Sequence, residues 1–141
     1  MKILIPVDGS ESANRAVDYV ISSAEWLREA PQVVLINVQW KIAAGNVKLF
    51  INQDTINDYY REQGEAALAE ARRKLDEAGL THAYQISVGS PAEVIVEYAR
   101  EQQADQIVMG ARGQSKFAAM LLGSVASRVI NLSGVPVMVV K

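Results

Sequence analysis

The sequence predicts an α/β protein: a parallel sheet with helices on both of its faces. Three observations carry that prediction. Short β-rich runs alternate with longer stretches of helical period along the 141 residues. One of those runs, Val33 to Val38, is apolar continuously rather than alternately, as strands covered on both faces are. A glycine-rich segment, Gly110-Ala-Arg-Gly113 and then Gly123-Ser124, directly follows the apolar run Ile107-Val108-Met109. In parallel sheets, ligands sit beyond the carboxyl ends of such strands.

The elements follow in order. Lys2 to Val7 reads as the first strand. Ser10 then precedes Ala13, Ala16, Val17, Val20, Ile21, Ala24 and Leu27, an i, i+3, i+4 stripe whose helix should stop near Ala30-Pro31. Val33 to Val38 is the second strand. Residues 40–54 break the rhythm, mixing Gly45, Asn46 and Asn52 with Trp40, Val47, Leu49, Phe50 and Ile51. Connections of that length usually serve function or move, and this one suits a partner surface or a cover for the core equally well. A second helix carries Ile56, Tyr60, Ala67, Leu68, Ala71 and Leu75 and closes at Gly79, with its charges on a solvated face. Ala83 to Val88 is the third strand. Ser90-Pro91-Ala92-Glu93 has the form of a helix start: an N-cap serine, a proline in the first turn, and a glutamate three residues on. Val94, Ile95, Tyr98 and Ala99 supply that helix with a buried face. Gln106 to Met109 is the fourth strand. Val125, Ala126, Val129 and Ile130 define a last helix, Ser133-Gly134 closes it with Gly134 as its C-cap, and Pro136 to Val140 is the fifth strand.

Composition narrows the function. Half of the residues are hydrophobic and 21% are charged, the balance of a soluble globular domain with a substantial core. A formal charge of −2 and a pI near 5.4 argue against binding nucleic acid through phosphate neutralisation. With no cysteine, disulfides, thiolate catalysis and sulfur-ligated metals are excluded, and the lone His82, expected at a loop edge, builds no multi-histidine site. No apolar run approaches a membrane span, and the apolar start is too short for a signal peptide. A cytoplasmic location is the expectation.

Two segments carry chemistry. Asp8, in Val7-Asp8-Gly9-Ser10, ends the first strand. There a carboxylate either accepts hydrogen bonds from a ligand's ribose or base, or joins Ser10 in capping the first helix at about 1 kcal/mol. The glycine segment is neither G-x-x-x-x-G-K-[ST] nor G-x-G-x-x-G. A helix running through Gly123 would lose about 1 kcal/mol against alanine. The last helix therefore starts at Gly123-Ser124 with Ser124 as N-cap, which leaves Ser115 to Leu122 as a flap. That start offers the Ser124 hydroxyl and the N–H groups of Ser124 and Val125 at a dipole-positive end. Gly110 and Gly113 permit close approach from the other side, although glycines serving only turns would meet the same pattern. Arg112 is placed to meet phosphate, and Ser115 and Lys116 lie within the flap. No Ser–His–Asp set, paired carboxylates or H-E-x-x-H accompanies them. The segment reads as a binding site.

Gly110-x2-Gly113-x9-Gly123-Ser124 resembles the nucleotide-binding motif G-x2-G-x9-G-[ST] of the universal stress protein family. Ile3-Leu-Ile-Pro-Val-Asp8-Gly-Ser10, Gly89-Ser-Pro91 with Ile95 and Ala99, and Pro136-Val-Met-Val-Val140 resemble that family in the same order. The resemblance spans residues 1–141 and implies a single domain, Rossmann-like, with strand order 3-2-1-4-5 and ATP between the ends of strands one and four. It implies that Pro6, Val7, Met109 and Gly110 line the pocket and that Asp8 holds the ribose or adenine side. Val38 main-chain groups would meet the adenine, and Arg112, Gly113, Gly123, Ser124 and Val125 would surround ribose and phosphates. Mg2+ is an optional companion of the ATP. Dimerisation through the last strand, Val135 to Val140, is implied as well. The sequence departs from the family pattern at Ala111, where small polar residues are common, and in the unmatched 40–54 loop. The expected function is an ATP-binding, nucleotide-responsive regulator of stress survival that is at most a weak ATPase. Its competitors are an adenine-nucleotide hydrolase or transferase, and a nucleotide-independent partner-binding scaffold.

Overall fold

Strand and helix alternate without exception through residues 1–42, 52–114 and 122–141, the residues that the computed structural model describes. The elements are β1 (Lys2–Pro6), α1 (Glu11–Ala24), β2 (Gln32–Gln39), α2 (Gln53–Glu77), β3 (His82–Val88), α3 (Pro91–Glu101), β4 (Gln106–Gly110), α4 (Ser124–Leu132) and β5 (Val137–Val140). The strands form one sheet in the order β3-β2-β1-β4-β5, with every pairing parallel.

Continuous apolar strands divide their side chains between two layers. Ile3, Ile5, Val33, Leu35 and Val108 face α1 and α2, where they meet Ala16, Val17, Val20, Leu68, Ala71 and Leu75. Leu4, Val34, Ile36, Ile107 and Met109 face the other way, onto Ala92, Ile95 and Ala99 of α3 and Ala126 and Val129 of α4. Successive residues thus bury on opposite faces, which explains why these strands show no polar alternation.

Two helix bounds differ from the sequence expectation. α1 ends at Ala24 rather than near Ala30, because its last fully covered residue is Val20 and Trp26 is 78% exposed. Past that point no residue up to Ala30 is fully buried, and the chain leaves through Trp26 N–H to Ser23 O and Leu27 N–H to Ala24 O. α2 begins at Gln53, earlier than the apolar stripe suggests, because Asn52 caps it by accepting the Thr55 N–H at 2.8 Å. The apolar residues Val47, Leu49, Phe50 and Ile51 lie outside the described residues.

Two helices end in the same way with different residues. After α2, Gly79 takes φ +68, its N–H donates to Asp76 O, and the Leu80 N–H reaches back to Leu75 O at 3.0 Å. After α3 the same bonds run from Gln103 to Arg100 and from Ala104 to Ala99, and Gln103 holds φ 53. A side chain in that left-handed conformation costs about 1–2 kcal/mol. Gln103→Gly is therefore expected to raise stability by about 0.5–1 kcal/mol, part of the relief being offset by a looser unfolded chain. A urea melt measures it, and unchanged or lowered stability would refute the strain. Gly134, expected as a C-cap, does not act as one. Ser133 leaves α4 in extended conformation (φ −68, ψ 134), and its hydroxyl accepts the Val135 N–H at 3.1 Å.

The order places β1 between β2 and β4, and the chain turns to opposite sides after β1 and β4. Such a switch point opens a crevice at the carboxyl ends of the strands. Register deepens it. β1 stops at Pro6 opposite Ile36, whereas β2 continues to Gln39 beside Val88 and β4 to Gly110 beside Val140.

Candidate functional site

At the end of β1 the chain turns through Gly9 with φ +82, where a Cβ would lie 3.3 Å from the Ala67 backbone. Asp8 Oδ1 accepts the Ser10 N–H at 2.9 Å, and Ser10 Oγ accepts the Ala13 N–H at 3.1 Å. Capping of α1 therefore falls to Ser10, with Asp8 fixing the turn that presents it. The second carboxylate oxygen of Asp8 faces Gly113, where a Cβ would stand 2.8 Å from it.

The glycine segment meets this turn from β4. Gly110 is packed against the start of α1: a Cβ there would lie 2.5–2.6 Å from the backbone carbonyl and Oγ of Ser12. Ser12, itself buried, accepts the Arg112 N–H on its hydroxyl at 3.2 Å. The missing side chain of Gly110 thus serves protein packing. The Gly123 N–H donates to Ala111 O at 2.7 Å, closing the segment on itself. Gly123 is the N-cap of α4 (φ −69, ψ 159) and its carbonyl accepts the Ser127 N–H at 3.0 Å, so Ser124 is the first helical residue instead of the cap. With no side chain at the cap position, the first-turn N–H groups have no capping oxygen from it. The expected flap, with Ser115 and Lys116, lies outside the described residues apart from Leu122.

The third wall is the overhanging end of β2. The Ile36 carbonyl points toward β1, accepting the Val7 N–H at 2.8 Å, while the Gln39 carbonyl points the opposite way to the Gly89 N–H at 2.9 Å. Alternation along a strand then turns the N–H and C=O of Val38 toward the space that β1 leaves. Asn37, buried, donates from Nδ2 to the Val7 carbonyl at 2.8 Å and accepts a short hydrogen bond from Gln39 Nε2. This ties the end of β2 to the Asp8 turn.

These walls enclose a cavity of about 440 Å³, within the range of small-molecule sites. It gathers Pro6, Val7 and Asp8 from the end of β1, Val38 from β2, Met109, Gly110, Arg112 and Gly113 from β4 and its loop, and Gly123, Ser124 and Val125 from the start of α4. Among the described residues, Asp8 and Arg112 are the charged residues of this lining. Other lining residues escaped the sequence reading: Asn37, Gln39, Trp40, Gln63, Ala67, Pro91, Ile95 and Gln114. A signal was available for Asn37, a polar residue inside an otherwise apolar strand. In the sequence Trp40 belongs to the unpatterned connection after β2, and Gln63 carries no pattern.

His82 plays no part in this wall. It opens β3, at the far end of the sheet from the cavity, with Nε2 2.8 Å from Asp76 Oδ1. Ser90 occupies the N-cap of α3 as expected, but its side chain makes no capping bond. Glu93 turns instead to α4, accepting from Arg128 Nε at 2.6 Å. That guanidinium holds the Glu93 carboxyl below the ordinary carboxylate range. The clasp between α3 and α4 is thus present at neutral pH and lost as acid titrates the carboxylate, and its exposure keeps its contribution small. Among the described residues no group of three His, Cys, Asp or Glu side chains gathers as a metal site, and no helix is long and apolar enough to cross a membrane.

The family model described as "Universal stress protein family" matches residues 1–141. The universal stress protein MJ0531 of Methanocaldococcus jannaschii is 35% identical over 99% of this chain and 81% of its own length. The solved structure of MJ0577 from the same organism superimposes with a TM-score of 0.82 at 31% identity, over 99% of this chain and 94% of that one. A universal stress protein solved in complex with cAMP gives a TM-score of 0.68 at 27% identity, over 100% and 96% of the two chains.

Proposed function

Because this chain belongs to the universal stress protein family, we propose that its cavity holds an adenine nucleotide, ATP foremost, and that occupancy makes it a nucleotide-responsive regulator of stress survival. The observation that carries the reading is the convergence of three unlike groups on one cavity at the switch point. These are the Asp8 carboxylate, the uncapped first turn of α4, and the outward main-chain edge of Val38. A related protein of the same fold was solved with cAMP, which supports the ligand class.

Each group has chemistry suited to one part of the ligand. The Val38 N–H and C=O form a donor–acceptor pair, the complement of the ring nitrogen and amino group of adenine. Asp8, an acceptor, suits ribose hydroxyls. The N–H groups of Ser124 and Val125, with the exposed Ser124 hydroxyl, suit phosphate at a dipole-positive helix end. Arg112 is exposed beside them and adds a cation. Arg112→Ala is expected to weaken ATP binding about 3- to 10-fold and AMP binding less, since an exposed charge acts mainly on the phosphates farthest from ribose. Competition titrations compare the two nucleotides, and equal losses would remove Arg112 from the phosphate end.

Hydrolysis should be slow at most. Asp8, the carboxylate of the cavity lining among the described residues, commits Oδ1 to the Ser10 N–H, and His82 stands at the opposite end of the sheet. Mg2+, where it enters, would come bound to the phosphates. The proposal extends to a cytoplasmic homodimer joined through β5, an edge strand whose residues Val137 to Val140 are all half-buried and which an unprotected apolar edge would otherwise expose to aggregation. Purified protein, denatured and its released small molecules identified by mass spectrometry, should yield adenine nucleotide near one per chain. Protein that comes without nucleotide, and takes none up from millimolar ATP, would overturn the reading.

A further inference from the structure

We propose that Trp40 is a base-stacking residue that sets the preference of the cavity for a purine over a pyrimidine nucleotide. The inference rests on the adenine-nucleotide reading above and deepens it. Trp40 is the one aromatic residue of the cavity lining among the described residues. It is 67% exposed, and unlike Trp26, which is also exposed, it stands at the cavity. Its position on the cavity lining leaves the indole open to a ligand rather than packed into the core.

Its backbone is anchored on both sides. The Gln39 carbonyl before it accepts the Gly89 N–H at 2.9 Å, and the Ile42 N–H after it donates to Tyr60 Oη at 2.8 Å, with Tyr60 itself buried. The indole is therefore presented from a fixed segment. Two residues earlier, Val38 turns its main-chain donor and acceptor toward the same cavity. The remaining apolar walls nearby, Val38, Ile95 and Met109, are aliphatic and make no distinction between flat rings of different size. An indole plane beside a hydrogen-bonding edge supplies what they lack: stacking area that grows with the base, and hence a larger gain for a two-ring purine.

The test uses the whole chain and its two tryptophans. In a Trp26→Phe background Trp40 is the remaining indole, and its emission should shift or quench as ATP saturates the protein. Trp40→Ala should weaken ATP binding by about 5- to 100-fold, the scale of one lost base stack. It should leave binding of inorganic tripolyphosphate, which has no base, unchanged. Trp40→Phe should recover most of the loss, and the ratio of ATP to CTP affinity should fall in Trp40→Ala. Because Trp40 is exposed, thermal melts of these variants should match the parent. Equal ATP affinity of Trp40→Ala and parent, or emission that does not respond at saturation, would overturn the proposal while leaving nucleotide binding intact. A parent chain that binds no nucleotide would overturn both.

Discussion

Gly110→Val is expected to destabilise the fold by about 3 kcal/mol and to damage the cavity with it. The added Cβ would lie 2.5 Å from the Ser12 backbone carbonyl carbon and 2.6 Å from both oxygens of that residue. The obstruction is helix backbone, so no rotamer change relieves it, and either β4 or the first turn of α1 must move. Overpacking of ordinary cores costs about 1–3 kcal/mol, and a backbone clash sits at or above the upper end. Moving α1 would also release the Ser12 hydroxyl from the Arg112 N–H, and with it the position of the glycine segment. A urea melt should show a midpoint lower by about 1–3 M for a domain of this size. An unchanged midpoint would mean that the packing of α1 on β4 is looser than described.

Asp8→Ala should have the largest effect on binding, a loss of about 10- to 100-fold in ATP affinity, the scale of charge-assisted hydrogen bonds to a carboxylate. Folding should change little, because Ser10 rather than Asp8 caps α1. The variant loses one turn-fixing bond, from the Ser10 N–H to Oδ1, at a cost of about 1 kcal/mol. Asp8→Asn, which keeps an acceptor for that N–H, should fold as the parent does and bind with intermediate affinity. Isothermal titration alongside melts separates the two effects. Unchanged affinity in Asp8→Ala would remove Asp8 from the ligand and leave it only its turn.

Much of this was legible in the residues because the governing physics is local. Short continuous apolar runs mark the described strands and period-3.6 apolar stripes the described helices, since a strand covered on both faces buries every residue and a helix buries one side. Gly123 was recognised as a helix start from the cost of glycine in a helix interior. The exact cap was not: the choice between Gly123 and Ser124 depends on the φ/ψ of the residue before the helix, and the sequence has no direct readout of that. The sequence suggests that Gly110 leaves room for a ligand; it lines the cavity, and its missing side chain also makes room for Ser12, about a hundred residues away in the chain. Contacts of that separation exist only once the sheet is assembled, and the same holds for Gln63 and Ala67, which α2 brings to the cavity from the far side. Strand order came from family resemblance alone, and the 3-2-1-4-5 sheet agrees with it.

The crevice between the ends of β1 and β4 is expected to hold an adenine nucleotide. Equilibrium titration of labelled ATP into nucleotide-free protein tests it most directly, with Gly113→Val as the paired variant, since that side chain would crowd the Asp8 carboxylate at 2.8 Å. Saturation near one ATP per chain is expected in the parent, and a loss of at least 10-fold in the variant. Failure of the parent to saturate at millimolar ATP, or identical curves for the two proteins, would contradict it.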